Sequence, residues 1–340
     1  MKKLARTAGN ALVTLALPVG IYLVILVISL FAGEGANFAS WTLFTSILKD
    51  CALGYIVALA MSFNMRNGRI DMSVGGIVVL TSIVAGNLAV MTNTGAWGLM
   101  LFSVVLAGVL GLVSGVLYIK LRLPSVILAL GLLMLFEAVS QLVFGGNGVS
   151  VYSDEMRMFH DEPWIYLVMI VMAVIFHVLT EHTRYAYDTK ALAGGQMIAC
   201  NMGIKNPKNA VLSYLFSGLF LGVASVIYLS DSALVASANN MSSASVMFDA
   251  ILPSLIGTFL ARKSNMAIGV FVGVASMKII KFGLVAMGVN SNFQNVITSI
   301  FLIAVIVVIG AMEHKKERDR IRQRAKVLSG AAVPQGGMNA

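Results

Sequence analysis

The sequence predicts an all-α, polytopic membrane bundle of about ten transmembrane helices, with both termini in the cytoplasm. Three observations carry that prediction. Of 340 residues, 58% are hydrophobic and 11% charged, where a soluble domain carries about 45–50% and about 25%. The apolar residues fall in runs close to the ~20 residues that a spanning helix needs. The basic residues gather on alternate connections, as they do when one set of loops stays on the cytoplasmic side.

The first run, 11–32, follows "MKKLARTAGN" and so resembles a secretory signal. It exceeds the 7–15-residue core of such a signal and reads as an uncleaved first helix. Runs 43–64, 70–91, 97–118, 124–145, 163–180 and 210–230 are spans two to seven. The eighth, 247–261, is short and contains Pro253. It reads as a bent or partial span whose loose backbone groups other protein covers. Runs 266–286 and 293–311 complete the ten.

With Met1 inside, the inner segments hold Lys2, Lys3, Arg6, Arg66, Arg69, Lys120, Arg122, Arg184, Lys190, Lys205, Lys208, Arg262, Lys263 and seven tail residues. That is twenty of the 24 lysines and arginines. The outer loops hold only Arg157 and are acidic through Glu34, Asp154, Glu155, Asp161, Glu162 and Asp231. Residues 1–312 form one transmembrane domain and 313–340 a basic, partly disordered cytoplasmic tail. The net charge of +9 raises nucleic acid as a partner. The tail lacks the interleaved aromatic residues that stack on bases and reads instead as an anchor beside anionic lipid headgroups.

No arrangement for catalysis is visible. His160, His177, His182 and His314 lack ligand spacing, and there is no phosphate-binding P-loop or nucleophile elbow. The chain is therefore read as no enzyme, with no cofactor of its own. Cys51 and Cys200 do not make a disulfide scaffold.

Ionisable residues in spans are costly and line cavities or pair with one another. Asp71, with Ser73 two residues on, is either a helix-start cap or a functional group. Glu137 lies mid-span with Gln141 at i+4 on the same face. It is either a hydrogen-bonding strut to a neighbouring helix or part of a pathway lining. Lys278 and Lys281 share a face and are candidate partners for such an acid. Further polar pathway candidates are Asn64, Asn290, Asn292 and Gln294, the last three in "GVNSNFQN" at an outer mouth; each has an equal explanation as a cap or turn.

One stretch stands apart from the apolar runs: "YDTKALAGGQMIACNMGIKNPKN", residues 187–209. It is a helix-capable insert on the inner side, centred on 191–204. Gly194 and Gly195 allow a turn into a short helix carrying Met197, Ile198 and Cys200, and Gly203 can end it. Without further information it is either a lever for a partner or an amphipathic helix lying on the lipid surface.

Four stretches share a resemblance. "GRIDMSVGGIVVL" (Gly68 to Leu80) resembles the G-x-I-D-L-S-V-G signature of permease subunits of bacterial ATP-binding-cassette importers for ribose, xylose and galactose, through Gly68, Ile70, Asp71, Ser73, Val74 and Gly75. "KLRLPSVILALGLLML" is similar to a second family segment through Pro124, Ile127, Leu130 and Gly131. The insert matches a third through Ala191, Ala199, Gly203 and Ile204. "FDAILPSLIGT" resembles a later segment, with Asp249 at its acid. The chain departs from the family after Thr258, where "GTFLARKSNMAIG" replaces a glycine-rich turn, and in the insert, where Gln196, Met197 and Cys200 replace charged residues.

The resemblance implies a transmembrane permease that moves a monosaccharide or similar polyhydroxyl solute. It implies a separate cytoplasmic ATPase that binds ATP and Mg, an extracytoplasmic solute-binding protein, and a second permease copy or a homologous permease. It makes the insert the coupling helix, through Gly194, Gly195, Met197, Ile198, Ala199, Gly203 and Ile204, and Asp249 a pathway candidate. The alternatives are a permease of the same kind for nucleosides or amino acids, an ion-coupled secondary transporter using Glu137, and a membrane scaffold without transport.

Overall fold

The computed structural model describes residues 18–27, 40–151, 154–260 and 265–290, with residue 30 and isolated positions after 292. Its helices are α1 (Pro18–Val27), α2 (Trp41–Met65), α3 (Val74–Thr92), α4 (Gly95–Leu121), α5 (Ser125–Leu142), α6 (Asp154–Arg157), α7 (Trp164–Glu181), α8 (Arg184–Gly194), α9 (Gln196–Asn201), α10 (Asn206–Ser232), α11 (Ala244–Leu260) and α12 (Met266–Ala286). Among the described residues, seven are long and apolar enough to cross a membrane: α2, α3, α4, α5 with its short extension to Gly146, α7, α10 and α12. The chain is thus a multi-pass helical membrane protein. α1 and α11 are shorter apolar helices. α11 contains Pro253, as the eighth predicted span does. Parts of the first predicted span and most of the tenth lie outside the described residues, as does the tail apart from residue 318.

The helices leave apolar side chains facing outward, including Leu101, Val105 and Val109 on α4 and Leu167, Ile170 and Val174 on α7. In lipid such faces need no further cover. Inside, Phe63 is fully buried and stacks edge-on against Phe176 and Phe220, with centroids 4.9 and 5.1 Å apart. These rings join α2, α7 and α10.

Close crossings depend on small residues, which let membrane helices approach. A Cβ on Gly218 of α10 would lie 2.4 Å from the carbonyl oxygen of Ala107 and 3.0 Å from the Cα of Gly111. Gly115 and Gly222 extend the seam against α10 and α4 respectively, so Gly111 and Gly115, four residues apart, form one contact surface on α4. Gly273 of α12 packs on Pro253 in the same way, its added Cβ 2.9 Å from the proline Cα.

One end of the bundle is basic. There the Arg66 guanidinium donates to the Thr180 carbonyl, Arg69 donates to the Asn206 side chain, and the Ile70 amide donates to the Ser125 hydroxyl. The other end is acidic. There Lys49 pairs with Glu162 at 3.0 Å, and two short strands, β1 (Val149–Ser150) and β2 (Leu234–Val235), pair antiparallel with Val149 opposite Val235. Hydrogen bonds from Lys49 and from Tyr166 hold the Glu162 carboxyl below its usual range.

Gly288–Ala340 is a separate unit. Within it the Gln294 amide N–H donates to the Asn290 carbonyl at 3.0 Å, and the Gln294 side chain donates to the Val289 carbonyl at 2.6 Å.

Candidate functional site

The Gly68 motif ends α2 and returns the chain toward the bundle interior. Gly68 has φ +70°, its N–H donates to the Met65 carbonyl, and the Arg69 N–H donates back to the Asn64 carbonyl. This pair of bonds is the Schellman ending, which favours glycine at the left-handed position. The chain then runs without helix to Ser73. Asp71 Oδ1 accepts the Ser73 N–H at 3.0 Å and its hydroxyl at 2.6 Å, and Oδ2 accepts from Asn64 at 3.4 Å. Asp71, Ser73 and Asn64 are all buried.

Glu137 treats α11 as Asp71 treats α3. Its Oε1 accepts the N–H (2.9 Å) and hydroxyl of Ser243, the residue before α11, and its Oε2 accepts the Met241 N–H at 2.9 Å. Both carboxyls therefore sit at a helix N-terminus, where negative charge is favoured. The two helix starts touch: a Cβ on Gly75, in the first turn of α3, would lie 1.9 Å from the Ser243 carbonyl oxygen. The Gly75 of the signature motif is thus the place where α3 and the start of α11 make backbone contact.

Glu137 is 4% exposed, and the three hydrogen bonds to its carboxyl all come from the segment 241–243 that leads into α11. The lysines offered as its partners go elsewhere. Lys278 pairs with Asp50 of α2 at 2.6 Å, and Lys281 lies 4.0 Å from Asp249 of α11. Gln141 donates to the Ala238 carbonyl at 2.9 Å, so α5 is tied twice to the segment leading into α11. Asp249 and Lys281 remain largely open, with side chains 57% and 42% exposed. Asn290 and Gln294 belong to the second unit, where Gln294 closes its own turn; Asn292 lies outside the described residues.

The insert folds as two helices. α8 begins at Arg184, earlier than the stretch singled out in the sequence, because Thr183 caps it through the Ala186 N–H. Gly194 is its last residue and Gly195 is the extended residue before α9. α9 ends in a second Schellman turn: Gly203, at φ +92°, donates to the Cys200 carbonyl and Ile204 to the Ala199 carbonyl. Ala199 is buried, whereas Met197, Ile198 and Met202 are 81%, 68% and 80% exposed and Cys200 is exposed too. Two long apolar side chains thus project from this six-residue helix, and a third, Met202, from the residue that follows it.

The hairpin is anchored through groups that sequence reasoning overlooked. Asn67 donates to Asn209, which donates to Thr189 of α8, and Tyr185 of α8 shares a hydrogen bond with Ser213. Burial pushes the Tyr185 phenol above its ordinary value, with the Ser213 bond opposing. The readable signal was a run of uncharged polar residues, Thr189, Asn206 and Asn209, beside an apolar helix.

Taken together, these elements define a multi-pass permease-like bundle: helix starts meeting in the interior, an exposed ion pair, and a short helix with exposed apolar side chains at the basic end. Residues 43–309 match the family described as branched-chain amino acid transport system / permease component, and the chain belongs to it. Among its relatives is the ribose import permease protein RbsC of Escherichia coli K12, 24% identical over 298 residues, covering 84% of this chain and 90% of the relative. The galactofuranose transporter permease protein YtfT of the same organism is 27% identical over 271 residues, covering 77% and 78%. The autoinducer 2 import system permease protein LsrC of Yersinia pseudotuberculosis is 23% identical over 317 residues, covering 90% and 89%.

Proposed function

We propose that this chain is the membrane permease subunit of an ATP-binding-cassette importer in the bacterial cytoplasmic membrane, and that it carries a monosaccharide or similar small polyhydroxyl solute into the cell. The ATP chemistry belongs to a separate cytoplasmic ATPase that binds ATP and Mg, and an extracytoplasmic binding protein delivers the solute. Relatives named for ribose and galactofuranose import support the solute class. The observation that carries the mechanism is α9 with the turn after it, which hold Met197, Ile198 and Met202 outward over the buried Ala199. In this reading the basic end, and both termini, face the cytoplasm, and ten spans thread the bilayer.

ATPase closure pushes α9, and α8 passes the movement to α10 and α2 through Asn209, Asn67 and Tyr185. The bundle then switches between two packed arrangements as largely rigid parts. The solute path runs past the Asp249–Lys281 pair, with Gln141 a further lining candidate, since an exposed carboxylate in a span does not face lipid. A second permease copy, or a homologous permease, closes that face, and lipid covers the rest. Asn64, Asp71 and Ser73 set the start of α3 behind the path.

A second reading has one observation in its favour. The family description names branched-chain amino acids, and the Asp249–Lys281 pair offers opposite charges to a zwitterion. Uptake of labelled ribose, galactose and leucine, with and without the ATPase subunit and an uncoupler, separates the readings. The expected result is sugar uptake that needs the ATPase and survives the uncoupler. Leucine uptake alone supports the second reading. Uptake abolished by the uncoupler and indifferent to the ATPase overturns both.

A further inference from the structure

A cavity of ≈ 510 Å³ lies between α8, the turn after α9 and the first two turns of α10. Arg184, Lys205 and Lys208 line it, and Asp188 is the one carboxylate in its wall. Among the described residues none of the three cations has a salt bridge, whereas Lys190 nearby is matched by Glu181 at 2.6 Å. Cations left unmatched around a concave surface concentrate counter-charge there. α10 is 27 residues long and begins in this wall, with Lys205 at its cap position. Its free N–H groups and macrodipole add positive potential. A further cation stands behind that helix start: Arg69 is 5% exposed, donates through Nη2 to the Asn206 side chain at 2.7 Å, lies 5.7 Å from the Tyr118 ring centroid, and leaves Nη1 without a hydrogen-bond partner.

We infer that this cavity is a binding site for a phosphate group, carried by an anionic phospholipid headgroup or free in solution. Its position favours either source, because it opens at the basic end of a membrane bundle, where basic pockets meet anionic lipid. The volume admits a phosphate with its glycerol or with water. The apolar Met202 and Ile204 on the same wall belong to the turn that ends α9. A bound phosphate therefore ties α8 to that turn and to α10, which stiffens the hairpin. Only this consequence rests on α9 being the ATPase contact; the binding itself does not.

The test uses the purified full-length chain without any ATPase. Melting temperature is followed against inorganic phosphate in one arm, and against short-chain phosphatidylglycerol or phosphatidylcholine in the other. We expect saturable stabilisation by at least one anionic probe and none by phosphatidylcholine. A response to inorganic phosphate identifies a free anion as sufficient, and a response to phosphatidylglycerol alone identifies the headgroup. Removing two charged donors in Lys205→Gln/Lys208→Gln weakens the response at least about tenfold, and Asp188→Asn strengthens it. This gain separates loss of a site from loss of the fold. The inference is overturned by the absence of a saturable response to both anionic probes, by an equal response to phosphatidylcholine, or by an unchanged response in the double variant. Such a failure leaves the importer reading intact, since uptake is not the readout.

Discussion

Glu137→Ala is expected to destabilise the bundle more than any other single polar substitution in it. The carboxyl accepts three hydrogen bonds, from the Met241 N–H, the Ser243 N–H and the Ser243 hydroxyl, in an almost fully buried place. Removing one partner of a buried charged network costs about 3–5 kcal/mol, because the remaining groups lose both their bond and their hydration. The loss falls at the junction of α5, α11 and α3, where Gly75 leaves no room for the Ser243 backbone to move. The melting temperature of the purified protein should fall by roughly 10 °C. Glu137→Gln keeps the volume but turns a donor toward one of the two N–H groups, so its loss should be about half as large. Gln141→Ala removes one bond from an exposed side chain and should cost about 1 kcal/mol. Equal melting temperatures for the three variants would contradict the role given to Glu137.

The second large effect concerns α9. Met197→Asp/Ile198→Asp should leave insertion and melting temperature unchanged, because both side chains are mostly exposed and support no core. The same pair should abolish stable ATPase association. Two central apolar anchors of an interface contribute about 2 kcal/mol each, so affinity falls by at least about a hundredfold. Co-purification with the ATPase and solute uptake are the readouts, and full uptake by the variant would contradict the lever. Ala199 and Gly203 are poorer places for this experiment. Ala199 is buried and Gly203 holds a left-handed φ, so larger residues there would disturb α9 itself.

The long apolar helices were legible because lipid selects on window-averaged hydropathy, and α4, α7, α10 and α12 announce themselves that way. The interior starts of α3 and α11 were not. The apolar run was read from Ile70, and Asp71 with Ser73 only as one possible cap, whereas the helix begins at Val74 because Asp71 claims the Ser73 amide. Gly75 carries the local signal for a close approach, but nothing in the sequence says that Ser243 is what approaches. Lys278 and Lys281 were correctly placed on one face, yet their partners, Asp50 and Asp249, follow from how α12 sits against α2 and α11. Such register across a bundle has no sequence period. The insert was legible through its polarity, and its glycines marked where α8 gives way to α9 and where α9 stops. Its docking face depends on burial, which hides Ala199 and exposes Met197, Ile198 and Met202.

The central claim is that α9 lies on the cytoplasmic side and is covered there by an ATPase. The chain carries its own reporter, because Cys200 of α9 is exposed and Cys51 is 1% exposed. A membrane-impermeant maleimide should label Cys200 in inside-out vesicles and not in intact cells, and adding the ATPase should suppress that labelling. Labelling of Cys200 in intact cells would place the lever on the wrong side of the membrane and contradict the account.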